Sequence, residues 1–146
     1  MIDIKNVRGE VIYSYEDNLE PLNFAGLNLE EAVLEGVEFS YANLEGTNLK
    51  GADLYWAILF SANLVDANLE NVLLSGADLK QACLCGADLR HANLGPDNLG
   101  GATQLQGADL RRTRLDGAIL VRAVYDKNTK FDGSFDPLAH GMTLIE

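Results

Sequence analysis

Cysteine and histidine are scarce in this chain, with two of each among 146 residues, and no apolar run is long enough to cross a bilayer. Cys83 and Cys85 stand two positions apart. A bridge at that spacing would be strained, so they make no disulfide framework. They make no zinc site either: His91 is the nearest histidine, His140 is far off, and further soft ligands are missing. The two thiols read as small surface or groove fillers. The opening residues, Met1 to Arg8, lack a signal-peptide core. A soluble cytoplasmic protein without a membrane partner is the expectation.

Positive charge is also in short supply. The formal net charge is −11, and only Lys5, Arg8 and Lys50 are basic before residue 71. Glu30, Glu31, Glu35, Glu38 and Glu45 make the first half a candidate acidic surface. Such a field repels nucleic acid directly and favours a basic protein partner. The small cluster Arg111, Arg112 and Arg114 reads as balance for Asp109 and Asp116.

Motifs for chemistry are missing as well. No phosphate-binding GxxxxGK[ST] loop and no GxGxxG after a strand occurs. Ser40, Ser61 and Ser75 have no neighbouring histidine to activate them. The many Asp and Asn residues recur at fixed spacing, and solvated corner carboxylates give no reason for a raised pKa. The chain therefore reads as a non-enzyme with no catalytic residue, no cofactor and no metal.

What the sequence does contain is a period of five. Leu recurs from Leu19 through Leu29, Leu34, Leu44 and every fifth place to Leu99, with Phe24 and Phe39 as variants. After a slip of one residue at Gly100-Gly101 the series resumes as Leu105, Leu110, Leu115, Leu120 and Tyr125. Ala prevails two places earlier, Asn or Asp one place earlier, and Gly is frequent two places later. Five matches neither the helical period of 3.6 nor the strand period of 2. It requires a backbone that turns every five residues. Residues two apart on a short extended segment share a side, so Leu and Ala both point inward. Asn, Asp and Gly suit the corners. The slip reads as a tolerated one-residue bulge.

Stretches such as Ala52-Asp53-Leu54, Ala62-Asn63-Leu64, Ser75-Gly76-Ala77-Asp78-Leu79 and Gly86-Ala87-Asp88-Leu89-Arg90 resemble the pentapeptide-repeat family. The resemblance covers about residues 17–126. It implies an all-β fold, a right-handed quadrilateral β-helix of about five and a half coils with four pentapeptides each. Residues 20 apart would then stack, placing Glu30, Lys50, Glu70, Arg90 and, after the slip, Arg111 in one ladder. Repeat arrays need capped ends. Residues 1–16 read as an N-terminal capping hairpin. Residues 127–146 read as a C-terminal cap with a short helix opening at Asp136-Pro137 and closing at Gly141.

One stretch breaks the polar habit of the outer surface. Tyr55, Trp56, Ile58 and Phe60 fall at outward positions, with Tyr41 at a corner of the coil below. Gly36 and Gly76 flank Trp56 one coil down and up. Clustered exposed aromatics suggest an interface. The expected function is a non-catalytic, rigid protein-interaction scaffold, whose partner is a protein that the sequence does not identify or a second copy in a homodimer. The alternative, implied by the resemblance, is a DNA mimic that binds DNA gyrase or another DNA-binding protein through the acidic half.

Overall fold

The computed structural model describes residues 1–17 and 20–146. Leu19, the first place in the leucine series, lies outside the described residues.

The five-residue period becomes a wall and a corner. At each corner the amide three residues after the inward Leu or Phe donates to its carbonyl, as from Ala32 to Leu29 at 3.1 Å and from Ala52 to Leu49 at 3.0 Å. The third residue of the turn has positive φ, at Gly26, Gly36, Gly46 and Gly51 and at non-glycine residues including Glu31, Tyr41, Trp56 and His91. That geometry is a type II turn, which explains why Gly is common there. Apart from Asp66 and Asn71, at φ 55 and 57, the repeated Asn and Asp residues do not take the left-handed corner position. They stand one place before the Leu, and their side-chain oxygen accepts the amide two residues on, as Asn43 does from Glu45 at 3.1 Å and Asp53 from Tyr55 at 3.0 Å. They fasten the turn by a side-chain bond.

Parallel bridges join Asn43 to Asn63, Asn48 to Asn68, Asp53 to Leu73 and Ile58 to Asp78. Each offset is 20 residues, so four walls complete a coil. The walls are named here by one leucine each. The Leu44 wall stacks Phe24, Leu44, Leu64, Leu84 and Leu110. The Leu49 wall stacks Leu29, Leu49, Leu69, Leu89 and Leu115. The Leu54 wall stacks Leu34, Leu54, Leu74, Leu94 and Leu120. The Leu59 wall stacks Phe39, Leu59, Leu79, Leu105 and Tyr125. Nearly all of these side chains are fully buried, together with the Ala columns beside them. Each buried Leu contributes roughly 1.5–3 kcal/mol before chain entropy is subtracted. Thr47 replaces an inward Ala, and its hydroxyl donates to the Phe24 carbonyl at 2.8 Å.

The slip is larger than one residue. Asp78 bridges Gln104, Cys83 bridges Asp109 and Asp88 bridges Arg114, offsets of 26 instead of 20. Six extra residues are extruded as a loop between Leu94 and Leu105, and Leu99 is 82% exposed. Leu99 is therefore not a core residue. It falls on the five-residue count from Leu94 by coincidence. The count absorbs five of the six inserted residues as a repeat and leaves one over.

At the N-terminal end, strands β1 (Ile2–Lys5) and β2 (Val11–Tyr15) pair antiparallel. Ile4 is buried, and Tyr13 and Tyr15 meet the Phe24 ring edge-on at 5.6 and 5.4 Å. Lys5 accepts the Val33 amide at 2.8 Å, tying the hairpin to the first coil. At the other end, β3 (Val124–Tyr125) pairs in parallel with β4 (Thr143–Leu144). The expected C-terminal helix is only a 3-10 turn, Leu138–His140. Asp136 accepts the amides of Leu138 and Ala139, and Gly141 closes the turn at φ 74. With so few residues between Pro137 and the left-handed glycine, no α-helical ladder can form.

Candidate functional site

The extruded loop lies against the aromatic stretch. Trp56 occupies the corner between the Leu54 and Leu59 walls with φ 58. Its indole runs up the rod across Gly76, where an added Cβ would stand 2.5 Å from the ring. Beyond Gly76 it reaches the loop, and Nε1 donates to Asp97 Oδ2 at 2.7 Å. Tyr55 packs at a tilt against Trp56, ring centres 4.8 Å apart, its hydroxyl donates to Asn98 Oδ1 at 2.6 Å, and it accepts the Asn98 amide at 2.8 Å.

Asp97 organises the loop. Its carboxylate also accepts the amides of Leu99 at 2.9 Å and Gly101 at 2.6 Å. The Trp56 indole N–H, followed by the backbone amides of Gly101, Leu99 and Gly100, holds its pKa below the usual carboxylate value, against partial desolvation. The loop is thus braced from inside and from below, and Leu99 projects at its tip.

The expected patch divides around one edge of the rod. Tyr55 and Trp56 belong to the loop side. Ile58 and Phe60 lie on the Leu59 wall, where Phe60 meets Tyr41 edge-on at 5.6 Å. Trp56 keeps 39% of its surface exposed, Ile58 38% and Tyr41 62%. Tyr55 and Phe60 are half-buried. Sequence reasoning missed Asp97, Asn98 and Leu99, although Gly95-Pro96-Asp97 already carries turn residues.

The acidic residues do not share a face. Glu30 lies on the Leu49 wall, Glu35 on the Leu54 wall, Glu38 on the Leu59 wall and Glu45 on the Leu44 wall, with Glu31 at a corner. They ring the first coils. The charge ladder on the Leu49 wall ends differently from expectation. The His91 amide donates to the Asp116 carbonyl, so Asp116, not Arg111, lies above Arg90. The six-residue insertion causes the difference. The column Glu30, Lys50, Glu70, Arg90, Asp116 alternates in sign throughout, and Glu70 bridges Lys50 at 3.3 Å and Arg90 at 3.8 Å.

Arg111 lies above Cys85 and holds Asp109 in a two-pronged pair, Nε to Oδ1 at 2.9 Å and Nη2 to Oδ2 at 2.6 Å. That pair holds the Asp109 carboxyl well below the usual range. Arg114 meets Asp88 at 3.7 Å, and the Arg112 amide donates to Asp132. Cys83 and Cys85 are free thiols. Burial first, then Asp109 and Cys83, pushes the Cys85 thiol up to about 11, which leaves it protonated and a poor nucleophile at neutral pH. Among the described residues no group of three His, Cys, Asp or Glu is placed to hold a metal, and no helix is long and apolar enough to cross a membrane.

A coil of four five-residue walls around a leucine shaft defines a parallel β-helix repeat protein. The pentapeptide-repeat profile matches residues 22–54 and 62–95, in 8 copies. A solved pentapeptide repeat protein from Nostoc Pcc 7120 is 32% identical, with 86% of this chain and 99% of that one covered at a TM-score of 0.55. One from the thylakoid lumen of Arabidopsis thaliana is 27% identical over 74% of this chain and 68% of that one, at a TM-score of 0.51. No curated protein compared with the chain matches it. The chain belongs to the pentapeptide-repeat family.

Proposed function

We propose that this protein is a rigid, non-catalytic scaffold that binds a protein partner across the Leu59 wall, from the Trp56 corner with the loop tip at Leu99, over Ile58, to the Tyr41 corner. One observation carries the reading: the regular coil is interrupted by six residues tied down by Trp56 and Tyr55, with a leucine held out at their tip. Insertions on a rigid framework are where binding function concentrates. An aromatic residue beside an exposed aliphatic one, braced beforehand, loses little entropy on docking. The right-handed coil, closed by the hairpin and the C-terminal segment, supplies the rigidity in this reading. A cytoplasmic location belongs to it as well. The gyrase-binding alternative rests on the family resemblance and the charge asymmetry, and acids spread round four walls present no single acidic stripe.

Light scattering and co-purification test the reading. Wild-type protein should form a complex, with a partner or with a second copy, that both Trp56→Ser and Leu99→Asp weaken while the fold is kept. A strict monomer whose bound proteins are unchanged by both substitutions would overturn it.

A further inference from the structure

The Leu49 wall ends unfinished. In the coils below, the amides of its central and corner residues donate to carbonyls one coil up. Leu69 donates to Asp88 at 2.7 Å, Asn71 to Arg90 at 3.0 Å, Leu89 to Arg114 at 2.8 Å and His91 to Asp116 at 3.0 Å. In the fifth coil the matching donors are Leu115 and Gly117. Among the described residues, neither amide has an acceptor. Elsewhere a missing carbonyl is replaced by a side chain: Gly76 donates to Thr103 Oγ1, Gly107 to Asp126 Oδ1 and Arg112 to Asp132 Oδ1. The Leu44 wall does continue, since Leu110 donates to Lys130; on the Leu54 wall the corner amide of Arg122 donates to Gly141, while the Leu120 amide has no acceptor among the described residues.

Over these amides lies a cleft of about 470 Å³. Its apolar lining includes Leu115, Ala118, Phe131 and Phe135. Leu115 and Ala118 belong to inward columns, yet they are only partly buried, whereas Leu89 and Ala92 one coil below are sealed. An open strand edge with unpaired donors beside an apolar cleft is the setting for strand addition.

We propose that this edge receives an extended segment of another protein as a sixth strand on the Leu49 wall, with an apolar side chain in the cleft between an acidic and a basic residue. The charge columns select that pattern. Just before the Leu, Asp88 lies beneath Arg114 at 3.7 Å, so the next place calls for an acid. Just after it, Glu70, Arg90 and Asp116 alternate, so the next place calls for a base. The guest therefore reads Asp-Leu-Arg, the triplet that Asp88-Leu89-Arg90 and Asp109-Leu110-Arg111 already use within the coil. In both, the carboxylate grips the guanidinium, at 2.7 and 2.6 Å. This site is distinct from the Trp56 edge, and its failure would leave that reading standing.

Amide NMR of the full chain, titrated with the blocked peptide Ala-Asp-Leu-Arg-Gly and its charge-swapped twin Ala-Arg-Leu-Asp-Gly, tests the proposal. The first peptide should shift Leu115 and Gly117, and the twin should bind at least about fivefold more weakly as two exposed pairs change sign. Arg114→Glu with Asp116→Lys, both at exposed side chains, should reverse the preference. Any of three results would overturn the proposal: no shift at millimolar peptide, equal binding of both peptides, or protection of the same amides by self-association at the C-terminal end.

Discussion

Asp97 shows how one carboxylate can set the state of a surface. It accepts the Trp56 indole and two loop amides, and its pKa is lowered in the folded protein. A lowered folded pKa means the loop's anchorage is fully present above the unfolded value of 3.8 and is lost as the pH falls through the folded value. Trp56 is the only tryptophan, so its emission reports the loop directly. Emission should change below pH 4 as the indole loses its acceptor, and Asp97→Ala should remove that change while leaving the far-UV spectrum intact. A pH-independent Trp56 signal in the wild type would contradict the anchorage. Gly76 makes a second test. Gly46→Ala suffers only a left-handed backbone with open space around it, a cost of about 1–2 kcal/mol. Gly76→Ala has the same strain and also meets the indole, so it should cost more in urea unfolding and shift Trp56 emission to the red. Equal costs with unchanged emission would mean the indole does not lie across Gly76.

Among the elements, the pentapeptide wall was readable from composition because each place has one physical task. The inward Leu and Ala columns, the left-handed corner and the Asx side chain that fastens the turn all leave a residue preference. The hairpin was readable through Tyr13 and Tyr15, which alternate as a strand must. The loop was not, because Leu99 imitates a core position at the expected interval. Once Leu99 was counted inward, Asp97 and Asn98 looked like repeat residues, and their bonds to Trp56 and Tyr55 had no sequence signal. Stability separates the two kinds of leucine. Leu79→Ala should cost about 2–5 kcal/mol by opening a cavity in the shaft. Leu99→Ala should stay within about 0.5 kcal/mol. Urea midpoints for both variants check this, and a comparable loss at Leu99 would mean that it packs inside.

The whole molecule is a rod whose interior is almost entirely committed to leucine and alanine. The buried Cys85 thiol and the carboxylates and arginines paired beside it account for the titratable groups most perturbed in the fold, and the ion pairs hold adjacent coils or turns together. The braced loop and the Trp56 edge stand apart from that regularity. The family name explains the rod, while the loop explains why this rod should hold something. A photo-reactive benzoyl-phenylalanine at position 99, with the same group at exposed position 30 on the opposite Leu49 wall as control, tests the central claim most directly. In extract from the native cell, the probe at 99 should crosslink one defined protein, and excess unlabelled wild-type protein should abolish the product. Equal labelling from both positions, or a product at 99 that the wild type cannot compete away, would contradict a binding role for this edge.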